Sequence, residues 1–329
     1  MPALLILGGT AWVGRETARE ALARGWEVTC LARGESGAVA AGARHVVADR
    51  DSPDAYAEVA GHDWDAVVEV SWQPRHVREA AQALAGRAAH WTYVSSVAAY
   101  APSRSLIPED APLRAPAAPD ERVDASRYDA AKVRCELDTL VVHPAALLVR
   151  AGVIVGPGDN TERFPYWPRR AAQAGAAPML APAEPAHPLQ LIDVRDLVAW
   201  MLGAVEAGVT GAVNAVGPQI PFGTMVAAAR EAAGATGPLV EAPADWLEER
   251  GVRRWKGEAS LPLWVPDRGE EARTGYHSDE RLLATGATLR PLAETMRDVL
   301  AEEIALGVER GGVAGLTRER ELALLAELG

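Results

Sequence analysis

Ala3-Leu4-Leu5-Ile6-Leu7-Gly8-Gly9-Thr10-Ala11-Trp12-Val13-Gly14 opens the chain with five apolar residues that run straight into a glycine-rich turn. A short apolar run bounded by glycine reads as a parallel strand buried on both faces. The stretch from Arg15 to Ala23 then has a helical pattern. Strand, glycine turn and helix together aim backbone N–H groups and a helix N-terminus at a pyrophosphate. Gly8 permits the tight turn and Gly14 lets the helix lie close to the sheet, with Thr10, Ala11, Trp12 and Val13 as the other expected cofactor contacts. Ala11 holds the middle position of a G-x-x-G-x-x-G pattern, which narrows the room for phosphates.

Working outward, Trp26 to Ala32 is expected as a second strand, with Arg33 just past its end. An acid there would hold the ribose 2′-hydroxyl of NAD; an arginine suits the 2′-phosphate of NADP. Arg33, helped by Arg15, therefore points to NADP(H) as the preferred cofactor with NAD(H) as the alternative, against the plainer reading of a surface arginine. Further strands are expected at His45–Asp49, Asp65–Val70, Trp91–Ser95 and Ala145–Val149, with a helix over His76–Ala88. Asp49 either accepts from an adenine amino group or caps the next helix. Ser71 and Ser96 follow strand ends, where parallel α/β sheets bind ligands. The proline- and acid-rich segment from Ala101 to Val123 reads as loop.

Strands and helices alternating at this spacing predict an α/β fold, a doubly wound parallel sheet of the Rossmann type, with a smaller C-terminal substrate-binding part. Residues 1–155 form the expected dinucleotide-binding domain, to which 189–216 return. In that return Gln190-Leu191-Ile192 is a strand, Asp193 caps a helix from Val194 to Glu206, and Gly211 to Val216 is another strand. Residues 156–188 and 217–290, where aromatics concentrate, form the substrate part. Within it Met225 to Ala233 is helical and Leu261 to Pro266 is rich in turns. Residues 291–329 close the chain with helices at Pro291–Leu306 and Thr317–Leu328. Trp72, Phe164, Trp167 and Trp264 are the expected walls of the substrate pocket, although tryptophans also serve as core.

One pair carries the chemistry. Tyr128 precedes Lys132 by four residues, which places a phenol and an ammonium on one helix face. There the phenol can exchange a proton while the cation favours its anion. Of 33 cationic residues 31 are arginine, and Lys132 and Lys256 are the only lysines. A lysine kept beside a tyrosine in such a chain suggests a site that needs a compact ammonium.

Composition sets the outer limits. A net charge of −12 disfavours nucleic acid or an anionic membrane as partner. Two cysteines give neither a disulfide framework nor a CxxC motif, and seven scattered histidines include no HExxH, so no metal site is expected. The first strand has no basic n-region and no apolar run could span a bilayer, which makes a cytoplasmic location the default.

Gly8 to Gly14, Ser96 with Tyr100 four residues on, and Tyr128-x-x-x-Lys132 occur in the order of the short-chain dehydrogenase/reductase superfamily, which the chain resembles. With Gly156-Pro157-Gly158-Asp159 and Val194-Arg195-Asp196-Leu197 it resembles the extended, NAD-dependent epimerase/dehydratase branch, over about residues 3–215. The resemblance implies that Tyr128 is the general acid/base, that Lys132 assists it and holds the nicotinamide ribose, and that Ser96, not Ser95, binds the reacting oxygen. Two departures narrow the chemistry. Val97-Ala98 stand where dehydratases carry Asp-Glu, which disfavours elimination of water. Leu189 stands where many sugar-nucleotide enzymes of the branch carry arginine.

The leading expectation is an NADP(H)-dependent reductase or dehydrogenase of a small, apolar carbonyl or alcohol. An NAD-dependent sugar-nucleotide epimerase is the alternative, and a non-catalytic cofactor sensor the third. The partner is a small molecule, and the chain is a monomer or a dimer paired through the helices near 76–88 and 126–141, as in many relatives.

Overall fold

Leu4, Leu5, Ile6 and Leu7 are fully buried, and at about 1.5–3 kcal/mol for each side chain removed from water they anchor the sheet. From there the chain runs β1 (Ala3–Leu7), α1 (Trp12–Ala23), β2 (Glu27–Ala32), β3 (Arg44–Val47), β4 (Trp64–Glu69), α2 (Pro74–Ala83), β5 (Ala88–Ser96), α3 (Tyr128–Val142) and β6 (Leu147–Ala151). It continues through β7 (Val153–Val155), α4 (Tyr166–Ala174), β8 (Met179–Pro182) and β9 (Pro188–Asp193), then α5 (Val194–Glu206) and β10 (Gly211–Ala215). Next come β11 (Gln219–Pro221), α6 (Phe222–Ala232), β12 (Leu239–Ala242), α7 (Ala244–Glu249), β13 (Arg253–Trp255) and β14 (Ser260–Pro262). Last are α8 (Glu280–Ala284), α9 (Leu292–Leu306) and α10 (Arg318–Leu328). The computed structural model describes residues 1–265 and 277–329.

The chain divides into two units. Unit 1 holds residues 1–152, 194–217 and 277–288; unit 2 holds 153–193, 218–276 and 289–329. Unit 1 is the doubly wound α/β fold that the sequence predicts. Its seven strands lie in the order β10-β6-β5-β4-β1-β2-β3 and every pair is parallel. Strand order reverses between β1 and β4, where such sheets bind ligands at the carboxyl ends. Side chains alternate across the pleat, so Leu5 and Leu7 join one core layer with Val77, Leu84, Trp91 and Cys135. On this chain α1 packs with α5.

Unit 2 has a core of its own, built from Phe164, Trp167, Phe222, Met225, Trp264, Met296 and Leu316 among others. Around it stand a three-stranded sheet in the order β11-β9-β7 and the parallel pairs β12-β8 and β13-β14. The boundaries differ from those expected. Residues 188–193 belong to unit 2 because β9 pairs with β7 and β11. Residues 277–288 belong to unit 1, where Arg281 donates to the Thr210 carbonyl and Trp200 donates to Thr285. The closing helices α9 and α10 also belong to unit 2; Thr295 on α9 donates to Asp193 at 2.7 Å.

Local edges shift as well. α1 begins at Trp12, not Arg15. α2 covers Pro74–Ala83 and not His76–Ala88, because proline suits the first helical position and Gly86, at φ +69°, turns the chain into β5. β6 starts two residues later than expected, at Leu147. Pro266, part of the expected turn-rich run, lies outside the described residues.

Candidate functional site

The glycine turn is built for close approach. Gly8 has φ +102°, and a Cβ there would strike Val70. A Cβ on Gly9 would meet the sulfur of Cys30, whose thiol is pushed up to about 12 by burial. A Cβ on Gly14 would collide with the Gly8 carbonyl. That contact is how the turn folds back on α1, with Ala11 N–H donating to Gly8 O at 3.1 Å. Ala11 is extended and caps α1 without a side-chain hydrogen bond, and no acid lies in the first helical turn. Thr10, Trp12 and Gly14 are buried, Ala11 and Val13 half-buried. The N-terminus of α1 therefore meets the turn with no carboxylate competing for an anion, and these residues fit a dinucleotide pyrophosphate.

Arg33 is exposed beyond β2 and pairs with the equally exposed Glu35 at 3.1 Å. Arg15 reaches from α1 toward the same loop: its Nη1 lies 3.5 Å from where a Cβ of Gly37 would be, and its buried Nε has no hydrogen-bond partner among the described residues. Asp49 lies two residues beyond β3 rather than within it. Its carboxylate accepts from the Asp51 N–H at 3.0 Å, a local turn.

Ser96, Tyr128 and Lys132 all belong to unit 1. Ser96 ends β5 and is half-buried; its Oγ accepts from the Ala98 N–H at 3.2 Å, which leaves the hydroxyl proton to another acceptor. Ser95 is buried and donates to Glu136 at 2.6 Å, so its proton is committed. Tyr128 opens α3 and is half-buried, with Trp72 tilted against it at a ring distance of 5.7 Å. Lys132, one turn further, is buried, and its Nζ lies 5.6 Å from the centre of the Tyr128 ring. That ammonium donates to the carbonyls of Val94 at 2.6 Å and Ser71 at 3.2 Å and stands 4.8 Å above the Tyr93 ring.

The four expected pocket aromatics separate. Trp72 is the one beside Tyr128. Phe164, Trp167 and Trp264 have no exposed surface and fill the core of unit 2, so they present packing faces and no free wall. Trp167 Nε1 donates to Pro262 O and Trp264 Nε1 to Glu184, which satisfies both indoles internally. Leu189 is likewise fully buried in that core.

Two ion pairs beneath the site escaped the sequence reading. Glu136 sits one turn after Lys132 and takes Arg150 of β6 through two hydrogen bonds, at 2.9 and 2.8 Å. Glu69 ends β4 and takes Arg50 in the same way, at 2.9 and 2.5 Å. Burial opposes the charge on Arg50, but the attraction of Glu69 outweighs it and holds the guanidinium above its ordinary pKa. Glu69 could have been noticed as an acid closing the apolar run Ala66-Val67-Val68. Among the described residues no group of His, Cys, Asp and Glu is arranged to hold a metal ion, and no helix is long and apolar enough to cross a membrane.

Residues 4–217 match the family model described as the NAD dependent epimerase/dehydratase family. A putative epimerase from Burkholderia cenocepacia superposes with TM-score 0.72 at 19% identity, over 92% of this chain and 98% of that one. The NAD complex of UDP-glucose 4-epimerase from Thermus thermophilus gives 0.65 at 18%, over 91% and 98%. UDP-N-acetylglucosamine 4-epimerase from Bacillus cereus gives 0.68 at 15%, over 92% and 99%. Among curated protein sequences nothing matches significantly.

Proposed function

Because this chain belongs to the NAD-dependent epimerase/dehydratase family, we propose that it is an NAD-dependent epimerase acting on a sugar nucleotide. The observation that supports this most is the pairing of a half-buried Tyr128 with the buried Lys132 Nζ, 5.6 Å from its ring, on a helix packed against β5, whose last residue Ser96 keeps its proton uncommitted. Bound NAD supplies a reversible hydride acceptor. Ser96 donates to the substrate oxygen and orients it. Tyr128 takes the proton of the hydroxyl as its carbon is oxidised and returns it when the carbon is reduced from the other face. Lys132 places a positive charge beneath the phenol and favours its anion. Trp72 packs at a tilt against the Tyr128 ring, 5.7 Å between centres, and limits its movement. Val97 and Ala98, in the turn after Ser96, offer no acid or base, which disfavours water elimination.

A reductase using NADP(H) is the second reading, and two placements favour it. Leu189 is buried where a nucleotide-anchoring arginine would be expected, and Arg15 and Arg33 flank the loop where a 2′-phosphate would lie. One experiment separates the two: incubation with NAD and UDP-glucose, followed for inversion at C4, beside incubation with NADPH and a carbonyl panel. Inversion with NAD is expected; turnover only with NADPH and a carbonyl overturns the epimerase reading. In either reaction Tyr128→Phe should lower kcat by about 10²–10⁴-fold, with NAD affinity by calorimetry unchanged. Full activity in that variant removes Tyr128 from the chemistry.

A further inference from the structure

Ser71 is held from both sides. Its N–H donates to Glu69 Oε1 at 2.8 Å, while its carbonyl accepts from Lys132 Nζ at 3.2 Å and from the Tyr93 hydroxyl at 3.1 Å. Glu69 is itself fixed by Arg50, whose Nε donates to the Tyr56 hydroxyl at 2.9 Å and whose Nη2 donates to the His76 carbonyl at 2.6 Å. Glu69 and Arg50 are both buried and neither touches Tyr128 or Ser96 in this network. A buried ion pair is a poor device for stability alone, since apolar residues of similar volume often do as well or better. Its geometric effect is specific. It pins the residue before Trp72 and gives the catalytic ammonium a fixed acceptor at the strand-order reversal between β1 and β4.

We infer that Arg50 and Glu69 are positioning residues that act through Ser71 to hold Lys132, and with it the Trp72–Tyr128 pair, in working register. The inference rests on the epimerase reading only for its kinetic readout, because the placement of Lys132 can be measured without a substrate.

The chain contains only two lysines, and Lys256 is exposed. Acetic anhydride labelling read by mass spectrometry therefore reports Lys132 with Lys256 as internal reference. In the parent Lys132 should label slowly. In Arg50→Met combined with Glu69→Leu, an apolar replacement chosen to keep the fold, Lys132 labelling relative to Lys256 should rise about tenfold or more, as loss of a charge-assisted hydrogen bond implies. Glu69→Gln keeps an oxygen for the Ser71 N–H and should stay slow. If the double variant does not fold, Glu69→Asp, one methylene short of Ser71, carries the same expectation of faster labelling. Where the parent inverts UDP-glucose, kcat of the double variant should fall by up to about 100-fold, with the loss falling on kcat more than on KM. Parental labelling of Lys132 in the double variant overturns the inference, as does Glu69→Gln labelling as fast as the double variant. Failure of the parent to use any sugar nucleotide counts against the function alone.

Discussion

Both units bury arginine against glutamate, but they attach the pairs to different things. In unit 1, Arg50–Glu69 lies at the end of β4 and Arg150–Glu136 joins β6 to α3, and each reaches on to one small group: the Ser71 N–H in one case and the Ser95 hydroxyl in the other. In unit 2, Arg169 joins Glu303 at 2.9 Å and Glu162 at 3.3 Å, and Arg310 joins the same two acids at 2.8 and 2.5 Å. Arg170 meets Glu321 at 3.3 Å. Those pairs tie α4 to α9, to α10 and to the segment between them. The same chemistry braces single polar groups at strand ends in one unit and fastens the closing helices in the other.

This contrast is sharpest at Glu303, which is buried and serves two arginines. Glu303→Ala leaves Arg169 and Arg310 sharing only Glu162, and breaking a buried pair from one side costs about 3–5 kcal/mol. Urea unfolding should show a loss of that size, while NAD affinity, proposed above to rest on unit 1 residues, stays at the parental value. A fall in NAD affinity as large as the fall in stability would erase the distinction drawn between the units.

Acid tests the comparison differently. His277, in unit 1, lies tilted against Tyr100 with ring centres 5.6 Å apart, and burial pushes its pKa down from 6.5 to about 4. Between those values the unfolded chain binds a proton that the folded chain refuses. Stability is therefore lost as pH falls through this window, by up to about 3 kcal/mol at its lower end. His277→Phe keeps an aromatic ring and removes the titration, so the drop in urea midpoint from neutral pH to about pH 4 should be smaller than in the parent. An unchanged drop would assign the acid sensitivity to the carboxylates instead.

What was legible in the sequence was local. The apolar run before Gly8, the glycines at Gly8 and Gly14, and the one-turn spacing of Tyr128 and Lys132 each state a conformation within a few residues, and the parallel sheet follows from their repetition. The ion pairs are not local. Arg169 and Glu303 are 134 residues apart and Arg310 and Glu162 are 148 apart, so nothing in either neighbourhood names the partner. The run from Arg163 to Arg170 gives no local sign that Arg169 and Arg170 are committed to glutamates. Phe164, Trp167 and Trp264 read as pocket walls for a similar reason: a large aromatic has the same pattern in a core as beside a ligand. Asp49 and Glu69 show the converse. The acid at the predicted strand end makes a local turn, while the one inside the apolar run carries a buried network.

The smallest expected effect lies where the two kinds of order meet, at α10. Thr317 is extended (φ −68°, ψ 156°) and its hydroxyl oxygen accepts from the Arg320 N–H at 3.1 Å, a local cap readable from sequence. Glu321, in the first turn that this cap stabilises, is buried and accepts from the Leu180 N–H at 2.8 Å as well as pairing with Arg170. If the long-range pair seats the helix, Thr317→Ala should cost only the cap itself, about 1 kcal/mol, and Thr317→Ser should recover it. If the cap must form before Glu321 can reach its partners, the loss should approach that of Glu303→Ala. Urea midpoints of the three variants, compared at one pH, decide whether the closing helix of unit 2 is ordered by its own first turn or by arginines far back in the chain.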